Sequence, residues 1–396
     1  MQEKRKRILT MLENGTISMD EALSLLEQLQ KDTEEGKKQK EDVQSAKKHT
    51  PAELVPYPKK QEEQKQSAEE DSSQTKKEAS DLDDFLNEIR KDFTVAGERF
   101  MQFMQGAVQK VKEFDMDAPF GKATNFTHKI TKPADQVKSI HVKVSNGNCT
   151  LHKAEGNDIQ LHFDMKGYFQ EDEEQSKQEI IDKILCILDD DTLQLTSEMK
   201  LAQVNVNIYV PEKEYETLSI RLTNGAFKLA DIPFETIKVK TSNGKIDVVE
   251  AKSDEIDVET VNGTIYVNDV QAKKMKAETL NGRIYIDGHV EEVKAQSLNG
   301  NIAVTTRSEQ AKEVEAKTMS GGVELYIPSN RSLQGELASM IGKLDVRLND
   351  IEQLKEHEQF LQRSMRFEKR VEGDDKPLQV KVESKTGTIM LHYNFA

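Results

Sequence analysis

The chain has 396 residues, of which 71 are Asp or Glu and 56 are Lys or Arg, so its formal net charge is −15 at pH 7. An acidic chain with 6% aromatic residues and no tryptophan is poorly suited to bind nucleic acid or an anionic membrane by charge alone. No apolar run approaches the roughly 18 residues of a membrane-spanning helix, and no apolar segment follows the basic first residues, so we expect neither a span nor a signal peptide. Two cysteines are too few for a disulfide framework.

Residues 1–30 are predicted to form a helical hairpin. The first helix ends at Asn14-Gly15, and Ser18 and Glu21 form a capping box for the second. A unit of this size cannot bury enough surface to be stable alone. The alternative, a DNA-reading helix-turn-helix, is disfavoured because the second helix carries acidic residues and no Lys or Arg. We therefore predict that this module self-associates or docks on a partner through Ile8, Leu12, Ile17, Leu25 and Leu29.

Residues 31–80 are predicted to be a disordered charged linker. They hold 11 lysines and 12 acidic residues but only three aliphatic residues, so there is little to bury. The helical period returns over 81–116, where an amphipathic helix is predicted. Its apolar face, with Phe100, Phe103 and Met104 at the centre, suits partner binding. Contact with a membrane surface is one hypothesis, and packing on the β-domain or a coiled coil is the favoured one.

The strongest pattern in the sequence is a recurring Asn-Gly pair. From Gly225 to Gly342 successive glycines of this column are 18 to 21 residues apart, which predicts a stacked repeat with coils of about 19–21 residues. The six pairs are Asn146-Gly147, Asn224-Gly225, Asn243-Gly244, Asn262-Gly263, Asn281-Gly282 and Asn299-Gly300. Ser320-Gly321, Ile341-Gly342 and Thr386-Gly387 continue the column in degenerate form.

The positions that flank each glycine predict two strands per repeat. Aliphatic residues stand two and four positions after it, and Thr or Ser usually stands three positions before it, which is the alternation of half-buried strands. A meander of hairpins with Asn-Gly turns also fits this pattern. Recurrence of like residues in columns favours a parallel β-solenoid, in which stacked coils form side-chain ladders. The side chains predicted to point inward are those of Ile246, Val248, Ile265, Val267, Ile284 and Ile286.

The mainly β domain is predicted to cover 135–396, with two helical insertions. Apolar residues at helical spacing predict one insertion near 170–190 and another near 350–372. Either insertion would cover an open end of the solenoid, where unpaired strand edges would otherwise recruit another chain.

No constellation of residues in the sequence points to catalysis. No pair of the eight histidines has the spacing of a zinc-binding helix, and neither cysteine belongs to a Cys-x-x-Cys pair. Cys149 stands in the inward column and Cys186 among Ile and Leu, so both are predicted to be core residues. We predict no catalytic residue, no metal site and no cofactor.

Two segments resemble a known family. The coils over 135–396 look like the bacterial toastrack domain, a group also catalogued as "putative adhesin" β-strand repeats. The segment from Arg7 to Leu26, R-I-L-x-M-L-E-N-G-x-I-S-x-D-E-A-x-x-L-L, is similar to the short bihelical domain of LiaX and YvlB proteins of Gram-positive bacteria. The resemblance implies a role in cell-envelope stress, with a membrane-stress partner of the phage-shock type. For LiaX-type proteins it also implies contact with membrane-active antimicrobial peptides.

Together these observations predict a non-enzymatic envelope-stress scaffold in which a solenoid is tethered to a docking module. The alternatives are a surface adhesin or ligand-binding solenoid and, less favoured, a carbohydrate-active enzyme. The expected location is the cytoplasm or the inner surface of the membrane. The resemblance also allows the cell surface, although no export signal is predicted.

Overall fold

The computed structural model describes residues 122–169, 173–359 and 362–394. Within these ranges the chain forms 23 strands and one helix, α1 (Glu173–Asp182). The predicted modules at 1–30, 31–80 and 81–116 lie outside the described residues. The β-domain includes more chain than predicted, because a strand at Lys122–Pro133 precedes residue 135 and pairs with the rest.

The first sheet consists of the strands that lead into the Asn-Gly corner and of further strands that extend it at both ends. Along the stack its members are β5 (Leu185–Asp189), β6 (Thr192–Ser197), β2 (Ser139–Asn146), β8 (Tyr215–Asn224), β10 (Phe234–Asn243), β12 (Lys252–Asn262), the second halves of β13 (Ile265–Asn281) and β14 (Ile284–Asn299), β16 (Glu313–Ser320), β22 (Leu378–Thr386), β18 (Leu333–Ile341), β21 (Gln362–Lys369) and β20 (Gln353–Gln359).

The second sheet consists of the strands that leave the corner and of further strands that extend it at one end. Its members, in order along the stack, are β1 (Lys122–Pro133), β4 (Asp158–Phe169), β7 (Gln203–Pro211), β3 (Cys149–Ala154), β9 (Phe227–Ala230), β11 (Ile246–Val249), the first halves of β13 and β14, β15 (Ile302–Thr306), β17 (Val323–Ile327), β23 (Ile389–Tyr393) and β19 (Leu344–Arg347). The coils pair in parallel, whereas β1, β4, β5, β20 and β21 add antiparallel strands at the ends.

The inward side chains of both sheets form one hydrophobic core. In strands such as β7, β13 and β14 alternate residues are buried, as period-two patterning requires. The prediction for the inward column is confirmed, because all six side chains are at most 1% exposed and their strands pair in parallel register. These side chains are those of Ile246, Val248, Ile265, Val267, Ile284 and Ile286. The described β-domain is therefore a β-solenoid with parallel coils.

The Asn-Gly corner is built from three ladders along the stack. A Cβ added at any of the glycines from Gly225 onward in this column would lie 1.7 to 2.2 Å from the carbonyl oxygen of the glycine in the adjacent coil, so no other residue fits. Thr241 Oγ1 donates to the Gly225 carbonyl at 3.1 Å, and the equivalent hydroxyls of the following coils do the same. Side-chain amides bond coil to coil at 2.8–2.9 Å through Asn224, Asn243, Asn262, Asn281 and Asn299.

Chain order and stacking order differ at both ends of the solenoid. The last coil in the chain, with Gly387, lies between the coils of Gly321 and Gly342: Gly321 N–H donates to Thr386 O at 3.1 Å and Gly387 N–H to Ile341 O at 3.0 Å. At the other end, β2 lies between β6 and β8. The coils of Gly387 and of β2 are therefore held on both sides by strands that are distant in sequence.

The two predicted insertions need correction. Near 170–190 a helix is present at Glu173–Asp182, but Leu185–Asp189 is strand β5, because Asp190 turns the chain at a φ of 50° into an antiparallel pair with β6. The helical prediction over 350–372 is wrong. This segment forms the antiparallel pair β20 and β21, and β21 extends the first sheet by pairing with β18. Alternate residues Met365 and Phe367 are buried, which is a strand period rather than a helical one.

The outer face of the first sheet carries a lattice of ion pairs between coils. Lys240 Nζ lies 2.7 Å from Glu259, and Lys276 Nζ lies 2.9 Å from Glu278 and 3.6 Å from Glu259. Asp257 is the least exposed of the carboxylates around Lys276, with its side chain 18% exposed and 3.9 Å from Lys276 Nζ. Burial raises the pKa of Asp257 above that of an exposed Asp, and the Lys276 charge only partly opposes this.

Because an acid with a raised folded-state pKa prefers the protonated form, ionised Asp257 destabilises the fold, and this penalty appears as pH rises above the unfolded value of about 4. We therefore expect Asp257→Asn to melt at a higher temperature than the parent chain at pH 7, with the difference vanishing by about pH 4. Thermal melts at both pH values measure this. Glu259→Gln is the control and should give no gain, since Glu259 accepts from Lys240. A lower melting temperature for Asp257→Asn at pH 7 would show that pairing with Lys276 dominates.

Candidate functional site

The corner opposite the Asn-Gly column has a repeated backbone shape. Asp231, Glu250 and Asp269 stand at successive return corners with φ of 53°, 54° and 53°. This left-handed conformation is uncommon outside glycine, and it turns the chain at the same point of each coil from the second sheet back to the first. The first residues of successive first-sheet strands are thereby placed side by side.

These strand starts line an open groove of about 800 Å³ that runs along the stack. At one end the rings of Tyr215 and Phe234, 1% and 2% exposed, are stacked with centroids 5.2 Å apart. Tyr215 Oη donates to Pro211 O at 3.1 Å, and burial raises the pKa of this phenol. The groove thus has a rigid aromatic base where it meets β8 and β10.

The rim of the groove is polar and weakly acidic. Its acidic residues are Glu214, Glu235, Asp254, Glu291 and Glu309, against the basic residues Lys252, Lys273 and Arg307. Lys273 Nζ lies 2.8 Å from Asp254, a hydrogen bond that raises the pKa of Lys273. Among the described residues, Glu214 and Glu235 have no ion-pair partner. The arrangement suits an extended polar ligand.

The outer face of the second sheet carries rows of aromatic rings. The rings of Tyr266 and Tyr285 are stacked with centroids 5.0 Å apart, and those of Tyr326 and His392 with centroids 5.4 Å apart. Further along, Tyr209 contacts the rings of two histidines. Tyr209, Tyr266, Tyr285 and Tyr326 all lie on this face.

Sequence reasoning missed these aromatic rows, although the signal is present. Tyr266, Tyr285 and Tyr326 each stand between two inward aliphatic residues, so the period of two alone places them outward. Their adjacency also requires the register of the coils. The eight side chains predicted for partner binding lie outside the described residues: Ile8, Leu12, Ile17, Leu25, Leu29, Phe100, Phe103 and Met104.

Cys149 lies in the core as predicted, whereas Cys186 is only partly buried on the end strand β5. Cys149 is buried, and its burial raises the pKa of the thiol to about 12, which makes it unreactive. Cys186 is partly buried against the core, and burial also raises its pKa. In the ranges with described side chains, no three His, Cys, Asp or Glu residues form a group that could hold a metal ion. No helix in the described part of the chain is long and apolar enough to cross a membrane.

Comparison with known proteins gives matches at both ends of the chain. Residues 185–392 match the family model Toastrack DUF4097, and residues 3–34 match a SHOCT-like domain. The chain is 35% identical over 394 residues to YvlB of Bacillus subtilis strain 168, and the alignment covers the whole of both proteins.

Solved structures show weaker likenesses. A "putative lipid binding protein" of Parabacteroides distasonis is 13% identical with a TM-score of 0.38, covering 69% of this chain and 98% of its own. A "putative adhesin" of Bacteroides fragilis is 11% identical with a TM-score of 0.37, covering 68% of this chain and 97% of its own.

The glycine-cornered coils, the family match over more than half of the chain and the full-length likeness to YvlB agree with one another. The chain belongs to the Toastrack DUF4097 family and is a YvlB-type member of it.

Proposed function

We propose that this chain is a non-enzymatic scaffold of the cell-envelope stress response, in which the solenoid binds a ligand and residues 1–30 dock on a membrane-stress protein or on a second copy. The observation that carries the proposal is the groove along the return corners. It is lined by strand starts from successive coils, and its charged residues are spread along the rim. A surface of this kind suits binding along its length more than chemistry at one point.

The N-terminal match supports a separate docking module. Residues 3–34 match a SHOCT-like domain, and the relative YvlB aligns over the whole chain, so the two parts occur together in both proteins. A small module joined to the solenoid by a linker strengthens the overall binding, because once one part is bound the other is held near its own site at a high effective concentration. Residues 1–30 then bring the solenoid to the cytoplasmic surface of the membrane, where the stress partner lies.

The docking role is tested by Leu25→Glu in the full chain. The change places a charge at the centre of the predicted apolar face, so we expect loss of self-association in analytical ultracentrifugation or loss of the crosslinked membrane partner in stressed cells. Fractionation of the same cells should show the protein moving from the membrane to the cytosol. The melting temperature of the solenoid should not change.

Ser24→Glu is the matched control, since it adds the same charge on the opposite face of the predicted helix. It should leave the assembly and the partner unchanged. The docking proposal fails if Leu25→Glu has the same oligomeric state, partner and cell fraction as Ser24→Glu.

A further inference from the structure

We infer that a pyranose ring of a glycan binds in a trench across the outer face of the second sheet. Three successive strands form the trench, and the middle strand is its floor. Its outward side chains are Tyr285 and Asp287 on β14, Ala303 and Thr305 on β15, and Glu324 and Tyr326 on β17. This assignment rests on the proposal that the solenoid is a binding scaffold, and it names the ligand class.

The register of the strands produces the trench. Ala303 lies between Tyr285 and Glu324, and Thr305 lies between Asp287 and Tyr326. Small side chains on β15 therefore lie between large ones on both neighbours. Because β14 and β17 are two strand spacings apart, the walls stand about 10 Å from each other.

Each wall presents an aromatic ring with one free face. Tyr285 stacks on Tyr266 at an interplanar angle of 11°, and Tyr326 stacks on His392 at 22°. Both stacking partners lie on the side away from β15, so the other face of each ring is turned toward the trench. The two tyrosines are offset from each other by two residues along the strands, because Tyr285 is level with Ala303 and Tyr326 with Thr305. A ring lying midway would therefore be about 6 Å from each tyrosine, within the range of favourable ring contacts.

The polar groups around the trench match the hydroxyl groups of a sugar. Tyr285 Oη lies 3.4 Å from Asp287 Oδ2, and Tyr326 Oη lies 2.5 Å from Glu324 Oε1. Arg307 adds a donor 2.8 Å from Asp287 Oδ1. Donors and acceptors thus alternate along both walls, as a polyhydroxyl ligand requires. An organic cation would meet only the Glu324 carboxylate, because Arg307 is already paired with Asp287 on the other wall.

The trench continues into the groove at the return corners. Arg307 follows the last residue of β15 and also lines the groove. A sugar unit between Tyr285 and Tyr326 therefore has a path for the next units past Arg307 onto the polar rim. This continuity favours a chain of sugars over an isolated small molecule.

The test uses the full-length protein and three probes: chitotetraose, cellotetraose and maltotetraose. Saturation-transfer NMR and calorimetric titration should show saturable binding of at least one probe. Tyr285→Ala and Tyr326→Ala should each weaken it about tenfold, since each removes a stacking wall. Tyr285→Phe keeps the ring and should retain most of the affinity, and Ala303→Leu should block binding by filling the floor.

Tyr209→Ala is the control for loss of an aromatic ring elsewhere on the same face and should bind as the parent chain does. Melting temperatures establish that every variant is folded. The assignment is overturned if no sugar probe binds, or if the two alanine variants bind the sugar as well as Tyr209→Ala does. It is also overturned if tetramethylammonium binds and the sugars do not. If any of these results is obtained while Leu25→Glu still abolishes docking, the trench assignment alone fails. If a probe binds as expected while Leu25→Glu leaves docking unchanged, only the proposed N-terminal role fails.

Discussion

Gly263→Ala is expected to destabilise the solenoid by more than about 3 kcal/mol, because the new methyl group would have to displace backbone rather than a side chain. A Cβ at this position would lie 2.0 Å from Gly244 O and 2.7 Å from its carbonyl carbon. Those atoms belong to the adjacent coil, which is held by the same corner contacts to the coil beyond it. The clash can therefore be relieved only by separating coils. Urea unfolding followed by circular dichroism measures the change.

Gly156→Ala is the matched control. It makes the same substitution at a turn where a Cβ would meet nothing within 4 Å, so a change within about 0.5 kcal/mol is expected. Equal stability of the two variants would show that the coils tolerate a side chain at the corner. The glycine column would then need another explanation than close stacking.

Much of this solenoid can be predicted from the sequence, because the same close backbone contact recurs at the corner of every central coil. Each corner of the central coils has room only for a residue without a side chain, and glycine occupies it. Inward aliphatic residues follow two and four positions later. The same pattern places Thr241 and Asn243 in ladders, since parallel stacking brings like positions together. Fold class, coil length and core column all follow from this repetition.

The ends of the stack are not readable in the same way. The coil of Gly387 has the same corner signature as its neighbours, so nothing local says that it lies between those of Gly321 and Gly342. Only long-range pairing decides this order. Over 350–372 neither the helical nor the strand period of apolar residues is strong, and pairing of β21 with β18 selects the strand form.

The trench was also beyond sequence reasoning. Ala303 and Thr305 are ordinary outward residues of a strand when considered alone. They become a floor only because Tyr285 and Tyr326 flank them on adjacent strands. A site of this kind depends on three coils at once, and therefore on a register that the sequence predicts in general but not residue by residue.

Ile265→Ala is expected to lower the free energy of unfolding by about 2–5 kcal/mol, the range for deleting a fully buried aliphatic side chain. Ile265 is 0% exposed and lies in register between Ile246 and Ile284. Both neighbours are fixed by their own backbone ladders, so the cavity cannot close, and the value should fall in the upper part of the range. Denaturant titration of the folded chain gives the number.

Ile341→Ala provides the comparison for Ile265→Ala, because it deletes the same atoms from a side chain that is 63% exposed on the same solenoid. Little apolar area is lost there, so a change below about 1 kcal/mol is expected. Similar losses of unfolding free energy in the two variants would mean that burial of the inward aliphatic side chains does not stabilise the central coils. A large loss at Ile265 alone ties the stability of the stack to the aliphatic column that the Asn-Gly repeat predicts.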